Sequence, residues 1–175
     1  SAAELEALKS AMIDDGAALC ELYAWLEAEL AAGARLTEDC VAARLDALRA
    51  RARDFIEPSF ETICAAGPNA AEPHYAPAAG ASAELAPGTF LLIDSGGQYS
   101  RGTTDVTRTT AVGELTLAQK RDYTAVLMGH IELAAARFPA GCLPSQLDTV
   151  ARKPLWDNGL DYGHGTGHGV GFCLC

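Results

Sequence analysis

The sequence predicts an α+β fold, in which helices and antiparallel strands occupy separate stretches of the chain. A 3.6-residue apolar stripe runs through residues 1–32, and a second one begins at Thr37. Two strand-like runs within residues 90–112 flank Ser95-Gly96-Gly97 and predict a hairpin with a long connection. A third helical stripe follows from Thr116. Helices therefore lie on either side of a central β region.

Each predicted helix has its own signals. The first ends near Gly33, which suits a C-cap. The second has Thr37 as its N-cap, with Glu38 and Asp39 opposing the positive end of the helix dipole. The third ends before Pro139. The first buried stripe is predicted to be Leu5, Leu8, Met12, Leu19, Tyr23, Leu26 and Leu30, and the third Tyr123, Leu127, Ile131, Ala134 and Phe138. A strand over 59–64 and a short helix over 145–152 complete the predicted elements.

Composition excludes several classes of protein. The chain has 175 residues, 49% of them apolar, and a net charge of −10, which is typical of one globular domain. It has no basic run, which argues against binding to a nucleic-acid backbone. No apolar run is long enough to cross a bilayer. Six cysteines without a C-x-x-C pair favour free thiols and a cytoplasmic location, and Cys173-Leu174-Cys175 is only weak evidence for a metal site.

Two aspartates are placed where chemistry is plausible. Asp94 ends an apolar strand, where burial of a lone carboxylate is costly. Asp105 lies in the next predicted strand, so the hairpin can bring both to one face, with opposed Cβ atoms about 5 Å apart. Two carboxylates about 4 Å apart repel by roughly 4 kcal/mol at an effective dielectric constant of about 20. A shared proton, an arginine or a divalent metal would offset that repulsion, and carboxylates are good metal ligands. Turn and strand capping by the two residues is the alternative interpretation.

The histidines fall into two groups. His164 and His168 lie in a glycine-rich segment, and an extended backbone would place both imidazoles on one side. Neutral imidazole is a good ligand for transition metals. His74 lies in a loop rich in Ala, Pro and Gly, where functional residues are enriched. His130 falls within the third helix, where we expect it to be packed or exposed without a chemical role.

The sequence around these residues forms a recognisable pattern. It consists of I-D-S-G-G-Q-Y at 93–99, G-T-T-D-V-T-R-T at 102–109 and H-G-T-G-H-G-V-G at 164–171, with G-P-N at 67–69, H-Y-A-P at 74–77 and L-D-Y at 160–162. In this order the stretches resemble the Xaa-Pro aminopeptidase (aminopeptidase P) family, within the creatinase, prolidase and methionine aminopeptidase superfamily. The resemblance spans essentially the whole chain.

The resemblance implies a pita-bread α+β fold and two divalent metal ions, with Mn²⁺ expected and Co²⁺ or Zn²⁺ as alternatives. Asp94 would bind one ion, Asp105 would bridge both, and His168 would ligate one of them. The catalytic His164, together with His74, would contact the substrate or stabilise the tetrahedral intermediate without binding metal. The implied reaction is attack of a metal-activated hydroxide on the carbonyl before proline, which releases the N-terminal residue of the peptide.

The family completes its site with residues that these 175 positions do not contain. Two glutamates and a further histidine follow the G-H-G-V-G segment in the family, whereas this sequence ends at Cys175. We therefore expect residues 1–175 to form a partial metallopeptidase catalytic domain, incomplete at the C-terminus and without the family's N-terminal domains. Three of five metal ligands remain, so we expect poor metal binding and slight or no peptidase activity.

The expected partners are peptides with proline second, with no nucleic acid and no membrane, and the full-length protein is expected to be a homodimer in the cytoplasm. Two other functions stay open: a non-catalytic pita-bread module that binds peptides or proteins, and a prolidase-like dipeptidase. Binding-only members tend to lose metal ligands, so the presence of Asp94, Asp105 and His168 favours an enzyme. The wording of the aspartate motifs favours the aminopeptidase P branch.

Overall fold

The computed structural model describes residues 1–76, 80 and 82–174. Its α-helices are α1 (Ala2–Ala31), α2 (Glu38–Arg49), α3 (Leu117–Ala135) and α4 (Pro144–Trp156). Its strands are β1 (Phe55–Pro58), β2 (Ile63–Ala66), β3 (Thr89–Ser95), β4 (Gly97–Tyr99), β5 (Gly102–Thr103) and β6 (Val106–Val112), and a 3₁₀ turn spans Gly67–Ala71. None of the helices in the described part of the chain has both the length and the apolar character needed to cross a membrane.

The chain divides into two compact units. The first comprises Ser1–Glu114 with the segment from Gly169 onward, and the second comprises Leu115–His168. The first unit holds both sheets, and the second is built on a pair of helices. The mixed α+β composition predicted from sequence is thereby confirmed.

The sheets of the first unit are antiparallel and three-stranded. One has the order β2-β3-β6 and the other β1-β4-β5. The predicted hairpin over 90–112 is present as the β3–β6 pair, and the small β4–β5 hairpin lies within its connection. The strand predicted over 59–64 is confirmed only at Ile63 and Cys64, because strands occur at 55–58 and 63–66. Between them, Ser59 crosses from one sheet to the other, donating its amide to Gly96 O and its hydroxyl to Thr104 O.

The boundaries of α1 match the prediction, but its buried face does not. The buried residues are Ala11, Asp15, Ala18, Leu19, Leu22 and Leu26. Leu5, which was expected to be buried, is 60% exposed. The difference arises because an acidic residue, Asp15, lies on the inward face of the helix. Its burial depends on partners that are distant in the sequence.

Asp15 is the centre of a fully buried polar cluster. Its Oδ1 accepts hydrogen bonds from Arg49 Nε (2.6 Å) and from the Tyr99 hydroxyl (2.9 Å), and its Oδ2 accepts from Arg49 Nη2 (3.0 Å). The exposed fractions of Asp15, Arg49 and Tyr99 are 0%, 1% and 1%. A charge buried this deeply is tolerated only when paired and hydrogen-bonded. The cluster therefore ties α1, α2 and β4 together in one arrangement.

A second buried carboxylate holds the loop after β2. Glu38 Oε1 accepts from Ala66 N (2.6 Å) and Asn69 Nδ2 (3.0 Å), and its Oε2 accepts from the Tyr75 hydroxyl (2.6 Å) and Ala83 N (2.9 Å). Burial alone raises the pKa of Glu38, but these hydrogen bonds outweigh it and leave the pKa below its ordinary value. The hydrogen bond from the Tyr75 hydroxyl to Glu38 raises the pKa of Tyr75 to about 12, so the hydroxyl stays protonated and can donate.

The start of α2 differs from the prediction in a related way. Thr37 precedes the helix, but its side chain donates to Asp39 rather than capping a backbone amide. Asp39 also accepts from the Ser82 hydroxyl and from Gly80 N (3.0 Å). Glu38 and Asp39, expected to act mainly on the helix dipole, therefore hold both ends of the loop between β2 and β3.

The second unit is a helical pair that relies on small residues. Ala125 and Gly129 are the buried residues of α3. A Cβ atom on Gly129 would lie 2.1 Å from Ala151 O, so α3 and α4 approach as closely as a glycine allows. The predicted stripe of α3 is wrong about burial, since Leu127 and Ile131 are 43% and 55% exposed. Because the backbones of α3 and α4 pack closely, the small residues of α3 are buried at the contact and the large apolar ones are not.

Replacement of Arg49 by Met should lower the free energy of unfolding by about 3–5 kcal/mol, because it leaves the Asp15 charge buried without its partner. The double variant Asp15→Asn/Arg49→Met, which removes both charges and keeps an acceptor for Tyr99, should lose clearly less. Urea unfolding measures both, with the exposed Arg53→Met as the control. Equal losses in the single and double variants would contradict this account of the cluster.

Replacement of Glu38 by Gln should lower the free energy of unfolding by about 1–3 kcal/mol near neutral pH, because an amide donor then faces a buried backbone N–H. The pKa of Glu38 is lowered from 4.5 in the folded chain, so its contribution is complete above that value and is lost as the pH falls through the folded pKa. The destabilisation caused by Glu38→Gln should therefore be smaller in acid.

Urea unfolding at a pH of about 7 and at a pH of about 3 tests this dependence. The exposed Glu61→Gln is the matched control and should have little effect at either pH. A loss for Glu38→Gln that is the same at both pH values would show that the ionised carboxylate is not the stabilising group.

Candidate active site

The register of β3 and β6 determines how the two aspartates are related. Asp94 pairs directly with Thr107, and Ser95 pairs with Val106. Asp105 immediately precedes β6, two residues before Thr107, so strand alternation assigns it to the same face as Asp94 at a diagonal position. Both aspartates are half-buried, and Asp94 Oδ1 accepts a hydrogen bond from the Thr107 hydroxyl (2.7 Å).

A glycine between β3 and β4 allows this arrangement. A Cβ atom on Gly96 would lie 1.8 Å from Thr104 O and 2.3 Å from Ser59 Oγ. No residue with a side chain fits at that distance. Only a glycine at position 96 lets the chain next to Asp94 approach the chain next to Asp105 this closely. Gly97 N then donates to Thr104 Oγ1 (2.8 Å). The glycines of the D-S-G-G motif thus serve the close approach of two chain segments.

His74 lies in the loop that Glu38 holds. It is exposed, and the next residue, Tyr75, donates to Glu38. Asn69, on the 3₁₀ turn, donates both to Glu38 (3.0 Å) and to the Tyr75 hydroxyl (3.0 Å). Side-chain contacts to a buried carboxylate therefore hold the loop on either side of His74. Pro77, the last residue of the H-Y-A-P match, lies outside the described residues.

His164 lies in a segment without helix or strand, so the extended strand or tight turns expected over 162–171 do not include a strand. Arg152 of α4 fixes this segment: its Nη1 donates to Tyr162 O (2.6 Å), and its Nη2 donates to His164 O (2.8 Å). The guanidinium also lies over the Tyr162 ring, 4.0 Å from its centroid. His164 stacks on Tyr162 with ring centroids 4.7 Å apart.

Two carboxylates hold Arg152 in turn. Its Nε donates to Asp148 Oδ2 (2.7 Å), and its Nη1 donates to Asp161 Oδ1 (2.8 Å). These hydrogen bonds keep the pKa values of both carboxyl groups below their ordinary value. Thr166 donates to Asp148, and the Thr166 and Tyr162 hydroxyls are 2.6 Å apart. The segment from 161 to 166 is thus organised around one guanidinium.

The remaining predicted site residues are exposed. His168 is the last residue of the second unit, whereas Asp94 and Asp105 belong to the first. His130 is exposed on α3, which is one of the two outcomes expected for it. Cys173 is exposed, and Cys175 lies outside the described residues. Within the described part of the chain, no group of three or more His, Cys, Asp or Glu side chains is gathered so that it could hold a metal ion.

The donor set nevertheless suits part of a divalent-cation site. Asp94 and Asp105 supply hard oxygen donors, which Mn²⁺ and similar ions prefer. Two carboxylates are fewer ligands than such ions require, so this pair fits as a contribution to a site and not as a whole one.

Sequence reasoning missed the two residues that hold the histidine segments. The sequence pattern predicts a helix-dipole role for Glu38 and no role for Arg152. Spacing offers a partial signal for Arg152, because Asp148 lies four residues earlier on the same helix face. The contacts of Glu38 with Asn69 and Tyr75 join residues about thirty or more positions apart, and no local pattern predicts them.

Comparisons with known proteins agree with the motifs. A protein of Tuber melanosporum named "Probable Xaa-Pro aminopeptidase P" is 49% identical over 171 residues, which are 98% of this chain and 28% of that protein. Aminopeptidase P1 of Arabidopsis thaliana is 44% identical over 192 aligned positions, which cover 98% of this chain and 30% of that protein. The chain therefore spans less than a third of the length of these relatives.

Solved structures give the fold. X-prolyl aminopeptidase from Caenorhabditis elegans, described as a cytosolic enzyme with a di-nuclear active site, matches with a TM-score of 0.93 and 44% identity over 97% of this chain and 28% of that one. Xaa-Pro dipeptidase from Bacillus anthracis matches with a TM-score of 0.82 and 27% identity over 99% of this chain and 46% of that one. The expected pita-bread fold is confirmed by these matches.

The family assignment rests on nearly the whole sequence, since residues 6–175 match metallopeptidase family M24. The same stretch contains both aspartates of the β3–β6 face and both histidines of the glycine-rich segment. The chain belongs to metallopeptidase family M24.

Proposed function

We propose that this chain contributes to a dinuclear metallo-aminopeptidase that removes the N-terminal residue from peptides with proline in the second position. The observation that carries the proposal is the pair of half-buried carboxylates, Asp94 and Asp105, assigned to one face of two antiparallel strands. Membership of family M24 and 44–49% identity to Xaa-Pro aminopeptidases support the same activity.

The residues divide into metal ligands and substrate contacts. Asp94 would bind one ion, Asp105 would bridge two, and His168 would ligate one of them. We take Mn²⁺ as the ion, with Co²⁺ or Zn²⁺ as alternatives. When bound, such ions supply Lewis-acid activation of water. The di-nuclear site named for the C. elegans structure supports two ions.

His164 and His74 would act on the peptide. The His164 Nδ1 atom is 2.7 Å from Gly165 O, a carbonyl that can only accept, so Nδ1 carries the proton. Nε2 is then the nitrogen that meets the substrate, where it can accept a hydrogen bond or, once protonated, donate one to a developing oxyanion. His74 is exposed on a firmly held loop, which suits a substrate contact.

A prolidase-like dipeptidase is the second candidate, favoured by the match to the B. anthracis Xaa-Pro dipeptidase. Its lower identity, 27% against 44% for the C. elegans aminopeptidase, makes it the weaker one. Retention of Asp94, Asp105 and His168 argues against a non-catalytic binding module. We further propose a cytoplasmic location, in line with the cytosolic C. elegans enzyme, and a homodimer for the full-length protein.

Replacement of either aspartate should weaken Mn²⁺ binding. We expect Asp94→Asn and Asp105→Asn each to reduce the affinity by about tenfold or more, since even the loss of a supporting contact at a metal site costs about tenfold. Isothermal titration calorimetry of the chain with Mn²⁺ measures this. Asp122→Asn on α3 is the matched control and should leave the affinity unchanged. Mn²⁺ binding that survives the Asp94→Asn/Asp105→Asn double variant would overturn the proposed site.

The 175-residue chain should release little or no arginine from Arg-Pro-Pro in the presence of Mn²⁺. The reason is that it supplies three of the five ligands that the family uses, so two ions are held poorly. Chromatography of the products measures the release, with the dipeptide Arg-Pro as a parallel substrate. Robust release from Arg-Pro-Pro would contradict the incomplete-site account, and preference for Arg-Pro would favour the dipeptidase.

A further inference from the structure

The segment that carries His164 has no secondary structure of its own to hold it. Residues 160–162 and 165–170 are irregular, and only a bend separates them. A backbone of this kind, rich in glycine, has many accessible conformations. Whatever fixes the position of His164 must therefore come from side-chain contacts.

Arg152 supplies those contacts from a rigid helix. Its guanidinium donates to two carbonyls of the segment, Tyr162 O at 2.6 Å and His164 O at 2.8 Å. The same group lies 4.0 Å from the centroid of the Tyr162 ring, on which the His164 ring stacks. One planar cation thus fixes both the backbone of His164 and the ring against which its imidazole rests.

Arg152 is itself held firmly. Asp148 and Asp161 each accept from it, at 2.7 and 2.8 Å, and its side chain is only 14% exposed. Thr166 donates to Asp148 and lies 2.6 Å from the Tyr162 hydroxyl, which anchors the far end of the segment to the same carboxylate. The His164 side chain is exposed, but it stacks on a Tyr162 ring that these contacts hold in place.

The orientation of His164 has a chemical consequence. With the ring stacked on Tyr162, Nδ1 is 2.7 Å from Gly165 O, so Nδ1 carries the proton and Nε2 is the nitrogen presented to a ligand. If the ring rotated, Nδ1 would lose its contact with Gly165 O, and either nitrogen could then carry the proton. The contact that sets the backbone therefore also sets the protonation pattern of the imidazole.

We propose that Arg152 is a positioning residue for peptide cleavage, which fixes the orientation and the Nδ1–H tautomer of His164. This inference rests on the proposed function, in which His164 contacts the substrate. Lysine cannot replace Arg152, because an ammonium group concentrates its donors on one nitrogen and cannot reach two carbonyls and two carboxylates as a planar fork does.

The test uses the metal-free chain with its histidine rings labelled with ¹⁵N, and His164→Gln assigns the signals. At a pH of about 8, the unsubstituted chain should give His164 the signature of a protonated Nδ1 and an unprotonated Nε2. Arg152→Lys should convert this signature to a tautomer mixture and broaden it, while the signals of His74 and His130 stay in place.

Arg137→Lys, on an exposed arginine of the same unit, is the matched control and should change none of the signals. Circular dichroism verifies that each variant is folded. If Arg152→Lys does not fold, Asp148→Asn replaces it, and the same change at His164 is expected because the carboxylate that orients Nε is lost. An unchanged His164 tautomer in the folded variant overturns the inference.

Titration with Arg-Pro-Pro separates this inference from the proposed function. The peptide should shift the His164 signal of the unsubstituted chain and of Arg137→Lys, and that response should be lost in Arg152→Lys. A response that survives Arg152→Lys unchanged overturns the role of Arg152. If the unsubstituted chain shows no His164 response, the substrate contact proposed for His164 is overturned, and the peptide-free comparison of tautomers still decides whether Arg152 fixes His164.

Discussion

The pairing of β3 with β6 is the constraint on which the proposed metal site depends. Side chains alternate along a strand, so a register shifted by one residue would turn Asp105 away from the face that carries Asp94. Gly96 protects this register, because any side chain there would collide with Thr104 O, 1.8 Å from an added Cβ. This register assigns two half-buried carboxylates to one face, and carboxylate oxygens are ligands that Mn²⁺ and similar ions prefer.

Two charged side chains, neither of which is a proposed metal ligand, hold the segments that carry the substrate histidines. Glu38 accepts hydrogen bonds from Asn69, Tyr75 and Ala83 in the loop of His74 and from Ala66 at the end of β2. Arg152 donates to two carbonyls in the segment of His164. Glu38 and Arg152 both lie on helices, whereas the segments that they hold are irregular. Rigid elements therefore supply the order that the loops lack, as functional loops require.

The sequence predicts the helices well because capping residues and apolar periodicity are local signals. It predicts the face of a helix less well. Asp15 lies inward on α1 because Arg49 and Tyr99 meet it there, and those partners are 34 and 84 positions away. On α3, close packing at Gly129 buries small residues where large ones were expected. The candidate site follows the same rule: motifs identify Asp94, Asp105 and His164, but long-range contacts determine what supports them.

A crystal of the chain soaked in Mn²⁺, with diffraction measured at the manganese absorption edge, tests the central claim most directly. The account predicts an anomalous peak within direct coordination distance of carboxylate oxygens from both Asp94 and Asp105. A peak elsewhere, or oxygens of the two residues turned to opposite faces of the β3–β6 pair, would contradict it.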